Sequence, residues 1–286
     1  MHRIERIGVV GAGTMGHGIA QVAAMADCRV RLFDVDSATL DRGLANIRGH
    51  LDKGVQLGKI TAAQRDHALG HLEPAEGLVH LGEDADLVVE AVPERLGLKQ
   101  ALFQQLQDCT PPGCIFATNT SSLSIAAIGS GITNPERLIG THFFNPVHLM
   151  ALLEIVVADA TAPEVLDATK AWGARLGKDV IVVKDFPGFA TSRLGVCLGM
   201  EAIRMLEQGV ASAEDIDKAM VLGYRHPVGP LKLTDMVGLD VRLAIGEYLA
   251  KELDNPAFEP PALLRHMVAS GKLGKKNGRG FYDWPS

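Results

Sequence analysis

The run Gly11-Ala12-Gly13-Thr14-Met15-Gly16 constrains this chain more than any other stretch. It follows an apolar segment, Ile7–Val10, and opens a helix-length pattern, Met15–Met25. In that setting each glycine has its own use. The first permits a tight strand-to-helix turn, the second lets backbone approach a pyrophosphate, and the third lets the helix pack closely. Unpaired N–H groups at the helix start then face the phosphates. Asp34 ends the next apolar run, eighteen residues after Gly16, and is placed to accept from a ribose 2′-hydroxyl. That acid favours NAD over NADP, and Arg31, pointing elsewhere on its strand, does not reverse the choice. Gly11, Gly13, Thr14, Met15, Gly16 and Asp34 are therefore expected to hold NAD. FAD is the lesser competitor, and a bare tight turn is the structural alternative.

Further apolar runs recur at Val30–Phe33, Leu87–Ala91, Ile115–Thr118, Leu138–Thr141, Leu152–Val157 and Val180–Val183. They read as buried parallel strands. Helix-length patterns such as Ser37–Leu51 separate the early ones, and this alternation implies a Rossmann-like α/β domain with a doubly wound, mostly parallel sheet. The pattern changes after Lys184-Asp185-Phe186-Pro187-Gly188. Beyond it Leu194, Leu198, Ala202, Met205 and Leu206 fit one helix face, and Asp215–Met220, Asp235–Leu253 and Ala262–Ser270 read as helices. The expected division is residues 1–186, an NAD-binding Rossmann-like domain, and residues 187–286, an all-helical C-terminal domain. Residues 271–280, rich in Gly and Lys, read as a loop.

The chain has 286 residues, 47% of them hydrophobic and 22% charged, enough apolar material for one large or two medium cores. A net charge of −6 argues against a nucleic-acid partner, which calls for a basic face. Cys28, Cys109, Cys114 and Cys197 form no CxxC pair and no metal-like spacing with histidine, so no metal site and free thiols in a reducing compartment are expected. The start, Met1-His2-Arg3-Ile4-Glu5-Arg6, runs straight into a strand without a leader-like apolar region, and no stretch approaches a membrane span. The expectation is a soluble cytoplasmic protein with no membrane partner.

His142-Phe143-Phe144-Asn145-Pro146 closes one apolar run, and Glu154 lies inside another, Leu152–Val157. A carboxylate inside such a strand is costly unless paired. A histidine on the neighbouring strand is a natural partner, and a carboxylate that orients a histidine makes it an effective general base near neutral pH. Other polar residues fall near strand ends: Glu90 and Glu94, the segment Thr118-Asn119-Thr120-Ser121-Ser122, and Asn145. In an open α/β sheet that end carries the ligand. The 118–122 segment also suits a helix cap. Asn145 suits a turn or contact with the nicotinamide. Phe143 and Phe144 read most simply as core. The remaining histidines, including His2, His17, His50 and His148, read as surface or packing residues.

With these residues in view, the chain resembles the L-3-hydroxyacyl-CoA dehydrogenase family, in particular its short bacterial 3-hydroxybutyryl-CoA type. The likeness runs through Gly11–Ala20, Asp86–Glu94, Thr118–Leu123, His142–Pro146 with Glu154, Asp185–Leu194, Asp215–Gly223, Pro227–Leu239 and Leu273–Tyr282. It implies NAD-linked oxidation of a 3-hydroxyacyl thioester, or the reverse, with an acyl-CoA as partner. His142 is implied as base, Glu154 as its orienter and Ser121 as a substrate contact. Glu94, Lys99, Asn145 and Lys276 join Asp34 on the cofactor. Lys53, with Lys59 assisting, is implied near the CoA phosphates; a solvated helix face is the plain alternative. A homodimer through the helical domain is also implied. One position departs from the family pattern: Ser192 stands where relatives carry a substrate-contacting asparagine, in Pro187-Gly188-Phe189-Ala190-Thr191-Ser192-Arg193. Serine offers one hydroxyl in place of an amide. Dehydrogenases of free hydroxy acids, of the gulonate or carnitine type, and a non-catalytic crystallin-like cofactor-binding protein are the alternative readings.

Overall fold

The computed structural model describes residues 3–285, so Met1 and His2 lie outside the described residues. The chain divides into two compact units, the first ending at Asp185 and the second beginning at Phe186.

The first unit runs β1 (Arg6–Val10), α1 (Gly16–Met25), β2 (Arg29–Phe33), α2 (Ser37–Gln56), α3 (Ala62–Gly70), β3 (Leu72–Pro74), α4 (Leu78–Gly82), β4 (Leu87–Glu90), α5 (Leu96–Cys109), β5 (Ile115–Thr118), α6 (Ile125–Ile128), β6 (Leu138–Phe143), β7 (Leu152–Val157), α7 (Pro163–Arg175) and β8 (Asp179–Lys184). Its eight strands form one sheet in the order β3-β2-β1-β4-β5-β6-β7-β8. The order reverses at β1, which makes the crevice between β1 and β4 the topological switch point where such sheets bind ligands. Val9, Leu32, Leu87, Val89, Ala117, Ile139 and Ile155 are fully buried in the core around the sheet. Such near-continuous apolar strands are what a sheet covered on both faces requires.

Three features differ from the sequence expectation. β7 runs antiparallel to β6. Only residues 144–151 join the two strands, whereas a parallel crossover needs roughly a dozen residues or more. β8 pairs parallel to β7 but is an edge strand, with Ile181 37% and Val182 46% exposed, not a buried one. β3 adds an opposite edge of three residues, too short for any periodicity to announce.

The second unit is helical: α8 (Thr191–Glu207), α9 (Ala213–Lys218), α10 (Pro230–Val237), α11 (Leu239–Leu253) and α12 (Ala262–Ala269). The expected helix Asp235–Leu253 is two helices, because Gly238 adopts φ +107° and breaks the run. The buried face of α8 also differs from the expected one. Val196, Gly199, Met200, Ala202 and Ile203 face inward, while Leu194 is 72% exposed. At Gly199 an added Cβ would lie 3.3 Å from the Thr234 hydroxyl, so this glycine lets the helix approach its neighbours, and a count of large apolar side chains passes over it. Asp235, fully buried, fastens the end of the chain to α10: it accepts from the amides of Phe281 and Tyr282 at 2.9 Å and from the Trp284 indole at 2.8 Å.

Candidate active site

Because β7 turns back beside β6, His142 and Glu154 stand directly opposite each other in register. His142 Nδ1 donates to Glu154 Oε2 at 2.8 Å, with His142 7% exposed and Glu154 fully buried. That bond fixes the tautomer in which Nε2 carries the lone pair, which is the arrangement a general base needs. The strand end is pinned from β5's side, since the Phe143 amide donates to Asn119 Oδ1 at 2.9 Å. Phe143 packs edge-on against Trp172 in the core. Phe144 is only half-buried, its ring 4.4 Å from the His142 imidazole, so only one of the two phenylalanines is core. Asn145 follows as an exposed residue.

The glycine loop has the shape a pyrophosphate requires. Gly11 has φ +97°, and a Cβ there would lie 2.6 Å from the Ala91 carbonyl oxygen. A Cβ on Gly16 would lie 1.6 Å from the Gly11 carbonyl oxygen. At Gly13 a Cβ would meet nothing within 4 Å, so this is the open side of the loop. Thr14 is exposed beside it, and α1 starts one residue after Met15. Asp34 accepts the Ala12 amide at 2.8 Å and the Asp36 amide at 3.0 Å, tying the loop to the end of β2. Each carboxylate oxygen keeps a further lone pair for a ribose hydroxyl. Arg31 is engaged elsewhere, 2.8 Å from both Glu73 and Asp84. These residues fit a dinucleotide without a 2′-phosphate.

A polar network, buried at Glu90, Lys99, Thr118 and Thr120, backs Ser121. Glu94 Oε1 accepts from the Thr120 hydroxyl at 2.5 Å, the Ser121 amide at 2.9 Å and the Ser121 hydroxyl at 3.3 Å. Lys99, fully buried, holds Glu94 at 3.2 Å and Glu90 at 2.6 Å. Glu90, also fully buried, accepts in addition from the Thr118 hydroxyl at 2.6 Å and the Val92 amide at 2.7 Å. Burial pushes the Glu90 carboxyl above the ordinary carboxylate range, against the pull of Lys99. Burial presses on Glu94 as well, but Lys99, the Thr120 hydroxyl and the Ser121 amide together hold it below that range. Glu90 and Thr118 entered the sequence reading only as members of strand-end segments, with no role of their own. The signal was present: a carboxylate ending the apolar run Leu87-Val88-Val89 poses the same problem as Glu154 in its strand.

Lys53 lies exposed in the last turn of α2, and Lys59 is exposed just beyond that helix. Ser192 and Lys276 belong to the second unit. Ser192 is in the first turn of α8, and Lys276 Nζ lies 2.5 Å from both carboxylate oxygens of Asp240.

A doubly wound sheet with an acid-backed glycine loop and a strand-borne histidine–carboxylate pair is the framework of a nicotinamide-dependent dehydrogenase. Comparison with known proteins narrows the class. Residues 6–186 match the 3-hydroxyacyl-CoA dehydrogenase NAD binding domain, and residues 188–284 match the 3-hydroxyacyl-CoA dehydrogenase C-terminal domain. The chain belongs to the 3-hydroxyacyl-CoA dehydrogenase family. It is 42% identical over 283 residues to the 3-hydroxybutyryl-CoA dehydrogenase of Mycobacterium tuberculosis, covering 98% of this chain and 99% of that one. The corresponding protein of Bradyrhizobium diazoefficiens is 42% identical over 281 residues, with 98% and 96% covered. Among solved structures, (S)-3-hydroxybutyryl-CoA dehydrogenase from Ralstonia eutropha is similar, with a TM-score of 0.95 at 40% identity, 99% of this chain and 100% of that one being covered.

Proposed function

We propose that this NAD-dependent dehydrogenase interconverts a short-chain L-3-hydroxyacyl-CoA, such as 3-hydroxybutyryl-CoA, and its 3-ketoacyl-CoA, with His142 as the general base. The observation that carries the reading is the 2.8 Å bond between His142 Nδ1 and buried Glu154. His142 Nε2 takes the proton of the substrate's 3-hydroxyl during oxidation and returns it to the keto oxygen during reduction. Glu154 stabilises the imidazolium that forms between those events and keeps Nδ1 protonated throughout. Ser121, held by Glu94, hydrogen-bonds the substrate near its reacting oxygens. Bound NAD supplies the hydride acceptor. Asp34 and the glycine loop hold that cofactor, with Glu94, Asn145 and Lys276 as further contacts. Lys99 acts through Glu94, since it is fully buried. Ser192 is a substrate contact in place of the usual amide. The names of the relatives support the thioester substrate, and the four free thiols support a reducing, cytoplasmic setting. The exposed apolar side chains Leu194, Leu222, Tyr224 and Met236 of the second unit support a homodimer through that unit, and a 3-hydroxyacyl-CoA substrate supports a role in fatty acid metabolism.

The test is a steady-state assay with NADH and acetoacetyl-CoA. Turnover is expected; none from protein that binds NADH sinks the reading, and equal turnover of free acetoacetate points to a hydroxy-acid enzyme. Within the same assay, Lys53→Ala combined with Lys59→Ala raises the KM for acetoacetyl-CoA by about three- to ten-fold, the scale of two exposed charge contacts. A KM that stays put takes CoA off that face of α2.

A further inference from the structure

Three histidines read from sequence as unrelated come together in the first unit. The rings of His17 on α1 and His50 on α2 lie 5.7 Å apart, and those of His50 and His148 lie 4.5 Å apart. His148 stands on the segment that leaves β6 just after His142. Lys53 is one turn beyond His50 on α2. Lys178, ahead of β8, caps the Val147 and Met150 carbonyls at 2.5 and 2.7 Å, on either side of His148. The charges acting on His50 are His17 and Lys53, and those acting on His148 are His50, His17 and Lys178. All are basic. His17 Nδ1 donates to the Gly13 carbonyl at 2.7 Å, and His50 Nδ1 donates to the Gln21 side-chain oxygen at 3.2 Å, so Nε2 is the nitrogen of His50 that gains a proton. Among the described residues no group of three or more His, Cys, Asp or Glu is placed to hold a metal ion. Clustered bases with no acid acting on them suit an anion.

We infer that His17, His50 and His148 form, with Lys53 and Lys178, a proton-gated site for the phosphates of the CoA thioester. This rests on the reading of the protein as an acyl-CoA enzyme with CoA along α2. His148 lies six residues beyond His142, its ring packs against that of His50, and Lys53 is one turn further along α2, so a thioester reacting at His142 and reaching Lys53 passes over this cluster. Burial and the neighbouring bases keep His50 and His148 below the ordinary histidine range while no anion is bound. A phosphate favours their charged forms and raises both pKa values. The complex therefore binds more protons than the free protein, and the grip on phosphate tightens as pH falls through the histidine range. The substrate's own phosphate protonation works the other way at low pH, but it is common to wild type and variants.

The experiment compares kcat/KM for acetoacetyl-CoA with kcat/KM for acetoacetyl-pantetheine, which lacks the phosphates, at about pH 8 and about pH 6. The ratio cancels the chemistry at His142. In the wild type it rises about ten-fold on acidification, the scale of two partly exposed charge contacts. His50→Gln with His148→Asn flattens the rise. Each single substitution gives about three-fold, and His148→Asn, in a loop, keeps the test open should the helix variant fold poorly. A wild-type ratio that ignores pH, or a double variant that matches wild type, overturns the inference while turnover of both thioesters leaves the enzyme reading intact. A pH-dependent KM for NADH in place of the thioester also overturns it, because the phosphates held would then be the dinucleotide's. No turnover of either thioester overturns the enzyme reading itself.

Discussion

Replacing His142 with alanine lowers the turnover number for acetoacetyl-CoA reduction by at least ~100-fold, the lower end of what a positioned acid–base group contributes. The imidazole is the proton store of the proposed reaction, and its Nδ1 bond to Glu154 leaves Nε2 as the exchanging atom. Alanine also leaves the fully buried Glu154 without its histidine partner, so part of the loss could be misread as disorder. His142→Gln separates the two effects. Its amide can donate to Glu154 but cannot carry a proton between substrate and protein, so it keeps the fold and shows the same kinetic loss. Glu154→Gln gives a smaller fall of about ten- to 100-fold, because the tautomer is no longer enforced and the imidazolium loses its counter-charge. Steady-state kinetics with a thermal melt of each variant decide the matter. A folded His142→Gln variant within ten-fold of wild type removes His142 from proton transfer.

Much of this site was legible in the sequence because its residues break local rules. Gly11, Gly13 and Gly16 sit where an ordinary side chain would collide or obstruct, and the structure shows collisions at 11 and 16 and open space at 13. Glu154 announced itself as a charge in an apolar strand, and its cross-strand partner followed. The antiparallel turn of β7 was also readable in principle, from the short connection 144–151, but strand composition alone carries no direction. Gly238 is a harder case. One glycine inside a helical pattern is usually tolerated, and nothing local says it will take a positive φ. Part of the inward face of α8 was hidden for a different reason, since it includes Gly199, a residue that hydrophobicity ranks low and whose missing Cβ allows close approach. His17, His50 and His148 were invisible as a group because they lie on three separate segments, and only the tertiary fold brings them together. Glu90 obeyed the same logic as Glu154 yet stood at a strand's last residue, where a carboxylate can equally face water.

That oversight bears on the largest stability effect the structure predicts. Lys99→Met lowers the free energy of unfolding by roughly 3–5 kcal/mol at neutral pH, the usual result of stripping one partner from a buried ion pair. Glu90 and Lys99 are both fully buried and meet at 2.6 Å. Methionine fills the space but leaves Glu90 with only the Thr118 hydroxyl and the Val92 amide. Adding Glu90→Gln restores most of the loss, because no unpaired charge is then buried, and its amide still accepts from Thr118 or Val92. The sign of the pH dependence follows from linkage. Burial already pushes Glu90 above the ordinary carboxylate range, and removal of Lys99 sends it higher. A folded-state carboxyl with a raised pKa binds more protons than the unfolded chain does, so stability falls as pH rises above the unfolded value. The deficit of Lys99→Met against wild type is therefore widest at mildly alkaline pH and narrows on acidification, where Glu90 is neutral in both proteins and wild-type Lys99 is left with Glu94 as its only carboxylate partner. Urea titrations followed by circular dichroism at several pH values measure it. A midpoint equal to wild type, or a double variant no more stable than the single one, shows that the pair does not hold the ends of β4 and β5 together. The Glu94–Ser121 contacts would then have to be held by other means.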